Sequence, residues 1–107
     1  MNRIIKYNDK LNVISSKVKM YRKINKWSLR DLSNKLQLLG IDITKSSLQN
    51  IETGKRIVKE YEFYALCKVF NVKMEVMLED FIMEIEEWAN NFYNYLLLYF
   101  IRNYIIF

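Results

Sequence analysis

Apolar residues fall at helical intervals through most of this chain. Ile14, Val18 and Tyr21 recur at i, i+4 and i+7, with Lys17, Lys19, Arg22 and Lys23 on the remaining faces; this is the pattern of a helix that lays one stripe on a core. Leu29, Leu32, Leu36 and Leu39 repeat at i, i+3, i+7 and i+10. The stretch Ser28 to Asp31 offers that second helix a capping-box start, with aspartate in place of the usual glutamate, and Gly40 an end. A third, shorter helix is predicted between Thr44, a strong N-cap type, and Gly54, which enters the left-handed conformation without strain. Leu48 and Ile51 are its only large apolar residues. Phe63, Leu66, Cys67 and Phe70, at i, i+3, i+4 and i+7, predict a fourth helix that stops at Asn71. Residues 1–12 show no clear period and are read as an arm or a first short turn.

The last third differs in kind. Met74, Leu78, Phe81, Ile85, Trp88, Phe92, Tyr95 and Tyr99 are spaced 4, 3, 4, 3, 4, 3, 4, the seam of a helix that faces another helix. As one helix, residues 74–106 would run about 50 Å, too long to lie on a small domain, so it either breaks near Asp80 or reaches out to a partner. The expected organisation is an arm over 1–12, a domain over 13–79 and a helical tail over 80–107.

Composition narrows the class. A chain of 107 residues, half of them apolar, makes one domain that buries roughly two-thirds of its unfolded surface. With no proline and two glycines, turn punctuation is too sparse for a β-protein. The single cysteine, Cys67, excludes an internal disulfide and at an inward position reads as a small core residue. Histidine is absent, so zinc and His-based acid–base chemistry lack ligands and bases. No nucleophile–base pair, metal cluster or phosphate loop is present, and neither an enzyme nor a cofactor is expected. The longest uncharged stretch, Trp88 to Ile101, is fourteen residues with three asparagines, short of the ~20 a membrane span needs. No basic start joined to an apolar run and a cleavage site opens the chain, which predicts a cytoplasmic protein.

Charge adds direction. Residues 1–59 hold 14 Lys/Arg against 4 Asp/Glu, and residues 60–107 hold 3 against 8. A half at +10 joined to a half at −5 fits one face turned to a polyanion and another part doing something else. The third helix suits that face: apart from Leu48 and Ile51 it carries Lys45, Ser46, Gln49, Asn50 and Thr53, with Lys55 and Arg56 directly after it.

Arg22, the Ser28 to Leu32 start of the second helix, Thr44 to Gly54 with Glu52 before the glycine, and the ending Phe70-Asn71-Val72 together resemble the lambda-repressor/Cro-like, or XRE-type, helix-turn-helix family. The resemblance runs from about Val18 to Leu78. It implies an all-α fold, a five-helix domain followed by the aromatic C-terminal helix, whose third helix enters the major groove. It also implies a sequence-specific bacterial or phage transcription regulator that binds double-stranded DNA as a dimer. Carried over, Lys45, Ser46, Gln49 and Asn50 fall where the family reads bases. Ser28, Thr44, Thr53 and Lys55 fall where it touches phosphate, and Arg56 continues that basic edge. Arg22 and Glu52 match a pair that ties the first helix to the third. Three positions depart: Leu29 replaces a phosphate-contacting glutamine, Ser33 stands where alanine is usual, and the connection Gln37 to Asp42 is long.

The expected function is operator binding and repression, with Ile85, Trp88, Phe92, Tyr95 and Tyr99 as the homodimer interface. The alternative is a protein-interaction subunit, such as an antitoxin, whose tail binds a protein partner while DNA binding is secondary.

Overall fold

The structure, a computed structural model, describes residues 8–105. It is helical throughout: α1 Ser15–Ile24, α2 Leu29–Leu38, α3 Lys45–Glu52, α4 Glu60–Phe70, α5 Met74–Met77 and α6 Glu79–Phe100, widening into one π turn at Ile101–Ile105. No strand occurs among the described residues.

The apolar stripes meet in one core. Ile14 and Val18, Leu32 and Leu36, Ile43, Leu48 and Ile51, and Ala65, Leu66, Cys67 and Phe70 close around Met77 of α5. Phe70 stacks on Trp27 with ring centroids 5.8 Å apart, and Lys35 lies 4.5 Å above the Trp27 ring. Cys67 is buried there, and burial pushes its thiol pKa up, which suits packing and not nucleophilic attack.

The first four helices all stop in the same way. A left-handed residue follows each: Lys26 (φ 59°), Gly40 (φ 80°), Gly54 (φ 76°) and Asn71 (φ 56°). The two amides that follow turn back to the last helical carbonyls, as in Trp27 N–H to Arg22 O at 3.0 Å, Ile41 to Leu36 at 3.1 Å, Lys55 to Asn50 at 2.8 Å and Val72 to Cys67 at 3.0 Å. These are Schellman ends, which satisfy carbonyls that the helix leaves open. Leu39 lies past such an end and is 52% exposed, so the expected α2 stripe closes at Leu36.

The C-terminal seam does not continue from Met74 as one helix. It breaks at Leu78 (φ −95°, ψ 7°), two residues before Asp80, and no side chain caps the new start. Glu79 and Asp80 occupy the first turn of α6 instead, where carboxylates oppose the positive end of the helix dipole. Lys17 of α1 holds Glu79 at 3.1 Å, and that hydrogen bond raises the lysine pKa. Beyond this root α6 stands off the domain with no buried residue, which stretches the molecule to 66 Å against 36 and 21 Å.

Candidate nucleic-acid interface

Helix α3 turns two fully different faces to its surroundings. Leu48 and Ile51 are completely buried, while Lys45, Ser46, Gln49 and Asn50 are exposed. Those four side chains make no hydrogen bond with the described chain, so their donors and acceptors are free to meet a ligand.

The front of α3 is fixed twice. Thr44 Oγ1 accepts from Ser47 N–H at 3.1 Å, and Ser33 of α2 donates its hydroxyl to Ile43 O at 2.6 Å. A serine in place of the usual alanine therefore clamps the long connection between α2 and α3 just before the helix starts. Leu29 is half-buried against the core, as befits leucine in a position without a polar duty. Ser28 caps α2 by accepting from Asp31 N–H at 3.0 Å while Asp31 accepts from Ser28 N–H at 2.8 Å. The Ser28 N–H first, and then the Ser28 hydroxyl, hold the Asp31 carboxyl below its ordinary pKa.

The back of α3 is held from three directions. Arg22 forks onto Glu52, Nε to Oε2 at 2.6 Å and Nη2 to Oε1 at 2.9 Å, and its Nη1 donates to Trp27 O at 2.9 Å. The two side chains are 13% and 5% exposed, and the bond to Glu52 raises the Arg22 pKa despite burial. Asn12, buried, donates to Ile51 O at 3.0 Å and Arg56 O at 2.9 Å, and accepts from Ile14 N–H at 3.0 Å. Leu11 N–H reaches Gly54 O at 2.8 Å. Leu11 and Asn12 are thus bonded to the end of α3 and its loop, which fits the first short turn rather than an arm at these two positions. Asx-type bonding of Asn12 two residues on was the available sign; its long-range bonds left none. Residues 1–7 lie outside the described region.

Two expected phosphate ligands are otherwise engaged. Arg56 forks onto Glu62, Nη1 to Oε1 at 3.0 Å and Nη2 to Oε2 at 2.8 Å, with Nη1 also on Ile57 O at 3.0 Å. It closes the α3–α4 loop and is no free cation; the fork lowers the Glu62 pKa against burial. Thr53 donates its hydroxyl to Gln49 O at 3.0 Å and its N–H to the same carbonyl at 3.0 Å, so it has no donor left for a phosphate. Lys55 is exposed and unpaired among the described residues.

The arrangement is a short helix locked at both ends, with a free polar face beside caps and a cation. A family model described as helix-turn-helix matches residues 18–77, more than half of the chain. The chain belongs to the lambda-repressor/Cro-like, XRE-type helix-turn-helix family. It is accordingly a DNA-binding transcription regulator of that type. No curated protein and no solved structure matches it. Among the described residues no helix is long and apolar enough to cross a membrane. The locks fix α3, the helix that carries the free polar side chains, to the rest of the domain.

Proposed function

We propose that the chain is a repressor that binds an inverted-repeat operator as a homodimer, with α3 in the major groove. One observation carries the reading: Lys45, Ser46, Gln49 and Asn50 are exposed and, among the described residues, unbonded, on a helix whose opposite side is fully buried. Gln49 and Asn50 pair two-pronged with adenine edges, and Lys45 reaches guanine acceptors. Ser28 and Lys55 take phosphates; Thr44, whose hydroxyl donates to Ser47 Oγ at 3.1 Å, frames the first amides of α3, which like those of α2 have no acceptor within their own helix. Phosphate contacts set affinity and base contacts set choice.

Dimerisation answers the shortness of α3. One such helix reads a few base pairs; two on a two-fold axis read half-sites about 34 Å apart. Ile85, Trp88, Phe92, Tyr95 and Tyr99 supply the contact, since an exposed row of this size exceeds what a soluble monomer tolerates. Trp88 and Phe92 already stack on that row, 5.3 Å between centroids.

Selection from random DNA with purified protein tests the reading. An inverted repeat is expected, and selection of no motif overturns operator binding. Deletion of residues 81–107 is expected to leave a folded monomer with weak binding; a truncated chain that sediments as a dimer removes α6 from the interface.

A further inference from the structure

Lys10 lies across the end of α3, ahead of the region that the family model matches. A Cβ built on Gly54 would sit 2.7 Å from Lys10 Cβ, 2.5 Å from its Cγ and 2.9 Å from its Cδ, so the lysine stem rests directly on the bare glycine. That cover leaves Gly54 buried, although Thr53 and Lys55 on either side are exposed. A lysine that buries its stem keeps its charged head in water. The Lys10 ammonium, two bonds beyond Cδ, is therefore held at the C-terminal end of α3, where Lys55 also stands.

The backbone fixes this placement on both sides of the residue. Asn8 (φ 50°) and Asp9 (φ 62°) are both left-handed and turn the chain tightly just before Lys10; asparagine and aspartate tolerate that conformation better than other residues with a side chain. Just after it, Leu11 N–H donates to Gly54 O at 2.8 Å, and Asn12 Nδ2 donates to Ile51 O at 3.0 Å and Arg56 O at 2.9 Å. A lysine that served solubility alone would need no such seat.

Around the end of α3 the cations divide into two sets. Arg22 and Arg56 each fork onto a glutamate and serve the fold. Lys10 and Lys55 make no ion pair among the described residues. Two like charges gathered at one helix end repel each other in the free protein, and an anion brought to both relieves that repulsion. Arg56 is closed onto Glu62 and leaves Lys55 without a second cation from the loop; Lys10 supplies it.

We propose that Lys10 contacts DNA phosphate and forms, with Lys55, a two-cation grip on the backbone at the C-terminal end of α3. This rests on the operator-binding reading above and deepens it with a residue from outside the helix-turn-helix. The grip adds affinity without sequence choice, since phosphates carry no sequence information.

Binding of the full chain to its selected operator and to random-sequence DNA, over a range of salt concentrations, tests the proposal with two variants. Lys10→Met keeps an unbranched stem over Gly54 and removes the charge; Lys10→Arg keeps the charge. Lys10→Met is expected to melt with the wild type, to weaken both DNAs alike by roughly five- to tenfold at moderate salt, and to lower the slope of log affinity against log salt by about one. Lys10→Arg is expected to retain affinity and slope. Amine labelling of the wild type is a second measurement, in which operator DNA is expected to shield Lys10 together with Lys55. A Lys10→Met protein with the wild-type slope overturns the proposal: the stem then only covers Gly54, or the charge only complements the α3 dipole. A Lys10 that labels equally with and without DNA overturns it too, as does a Lys10→Met protein whose base preference changes, because the contact is then to a base. Failure of the underlying reading is seen separately, as a wild type that selects no motif.

Discussion

Arg22 and Glu52, on α1 and α3, meet in a two-pronged ion pair of 2.6 and 2.9 Å across thirty positions of sequence. An acid on a helix that approaches DNA opposes binding unless it is neutralised. Here the arginine neutralises it and, through Trp27 O, ties the end of α1 to the same point. Glu52→Ala leaves the guanidinium with its backbone partner only, in a setting where its side chain is 13% exposed. The expected loss is roughly 3–5 kcal/mol, the usual cost of removing one member of a buried pair. Thermal unfolding without DNA measures it, and a variant that melts with the wild type denies the pair any structural role.

The second fork, Arg56 on Glu62, predicts a pH dependence. Arg56 holds the Glu62 carboxyl below its ordinary value of 4.5, and Lys59 N–H adds to the effect. A carboxyl depressed in the folded state contributes stability that is complete above its unfolded pKa and is lost as pH falls through its folded pKa. Glu62→Gln should therefore cost about 1–3 kcal/mol near neutrality and lose less than the wild type on acidification below pH 4.5. Asp31 is depressed as well, through its bonds to Ser28, so the quantity to follow is the difference between the two proteins. Parallel melting curves from pH 6 to 3 would remove Glu62 from the acid response.

The left-handed helix ends predict substitutions of opposite sign. At Gly54 a Cβ would sit 2.5 Å from Lys10 Cγ and 2.7 Å from Lys10 Cβ; at Gly40 nothing lies within 4 Å. Both pay for a positive φ on substitution by alanine, by more than about 1 kcal/mol, but Gly54→Ala should cost clearly more than Gly40→Ala. Lys26, a lysine at φ 59°, is strained in the native chain, and Lys26→Gly should stabilise by about 0.5–1 kcal/mol. Denaturant midpoints of the three variants test the order; equal costs at the two glycines would mean that the Lys10 stem moves aside freely.

These ends also mark how far the fold was legible. Gly40, Gly54 and Asn71 signal a stop by residue type. Lys26 does not, because nothing in a lysine distinguishes a left-handed residue from a solvated one. A break near Asp80 was legible from length, since one helix over 74–106 outruns the domain; its exact place at Leu78 leaves no mark in the 4, 3 spacing, because a residue at φ −95°, ψ 7° stays close to helical. Leu39 continues the spacing of the α2 stripe because periodicity runs past a helix end that only the Gly40 turn defines. The free face of α3 was readable because polarity there alternates with Leu48 and Ile51. Its supports were less so: Asn12, Ser33 and Glu62 act through bonds to distant backbone or to one arginine, and such bonds leave no period. Arg56 looked like a phosphate ligand for the same reason, since its partner is fixed by a loop and not by spacing.

The free face of α3 gives the sharpest test of the DNA reading, because neighbouring residues are assigned opposite kinds of work. Asn50 has an exposed amide with no partner among the described residues, and an amide that spans both polar atoms of adenine discriminates against other bases. Asn50→Ala should cost about 1–3 kcal/mol on the preferred operator and relax choice at one base pair. Lys55 lies just beyond the Gly54 turn, where a flexible ammonium meets phosphate without reading sequence. Lys55→Ala should weaken all sequences alike and lower the slope of log affinity against log salt by about one. Neither change touches the core or the locks on α3, so both proteins should melt with the wild type, which keeps altered binding from being mistaken for altered folding. Binding isotherms over a panel of single-base operator variants at several salt concentrations separate the two effects. Should Lys55 set the preference and Asn50 only the affinity, α3 is docked in a different orientation, with its C-terminal end toward the bases.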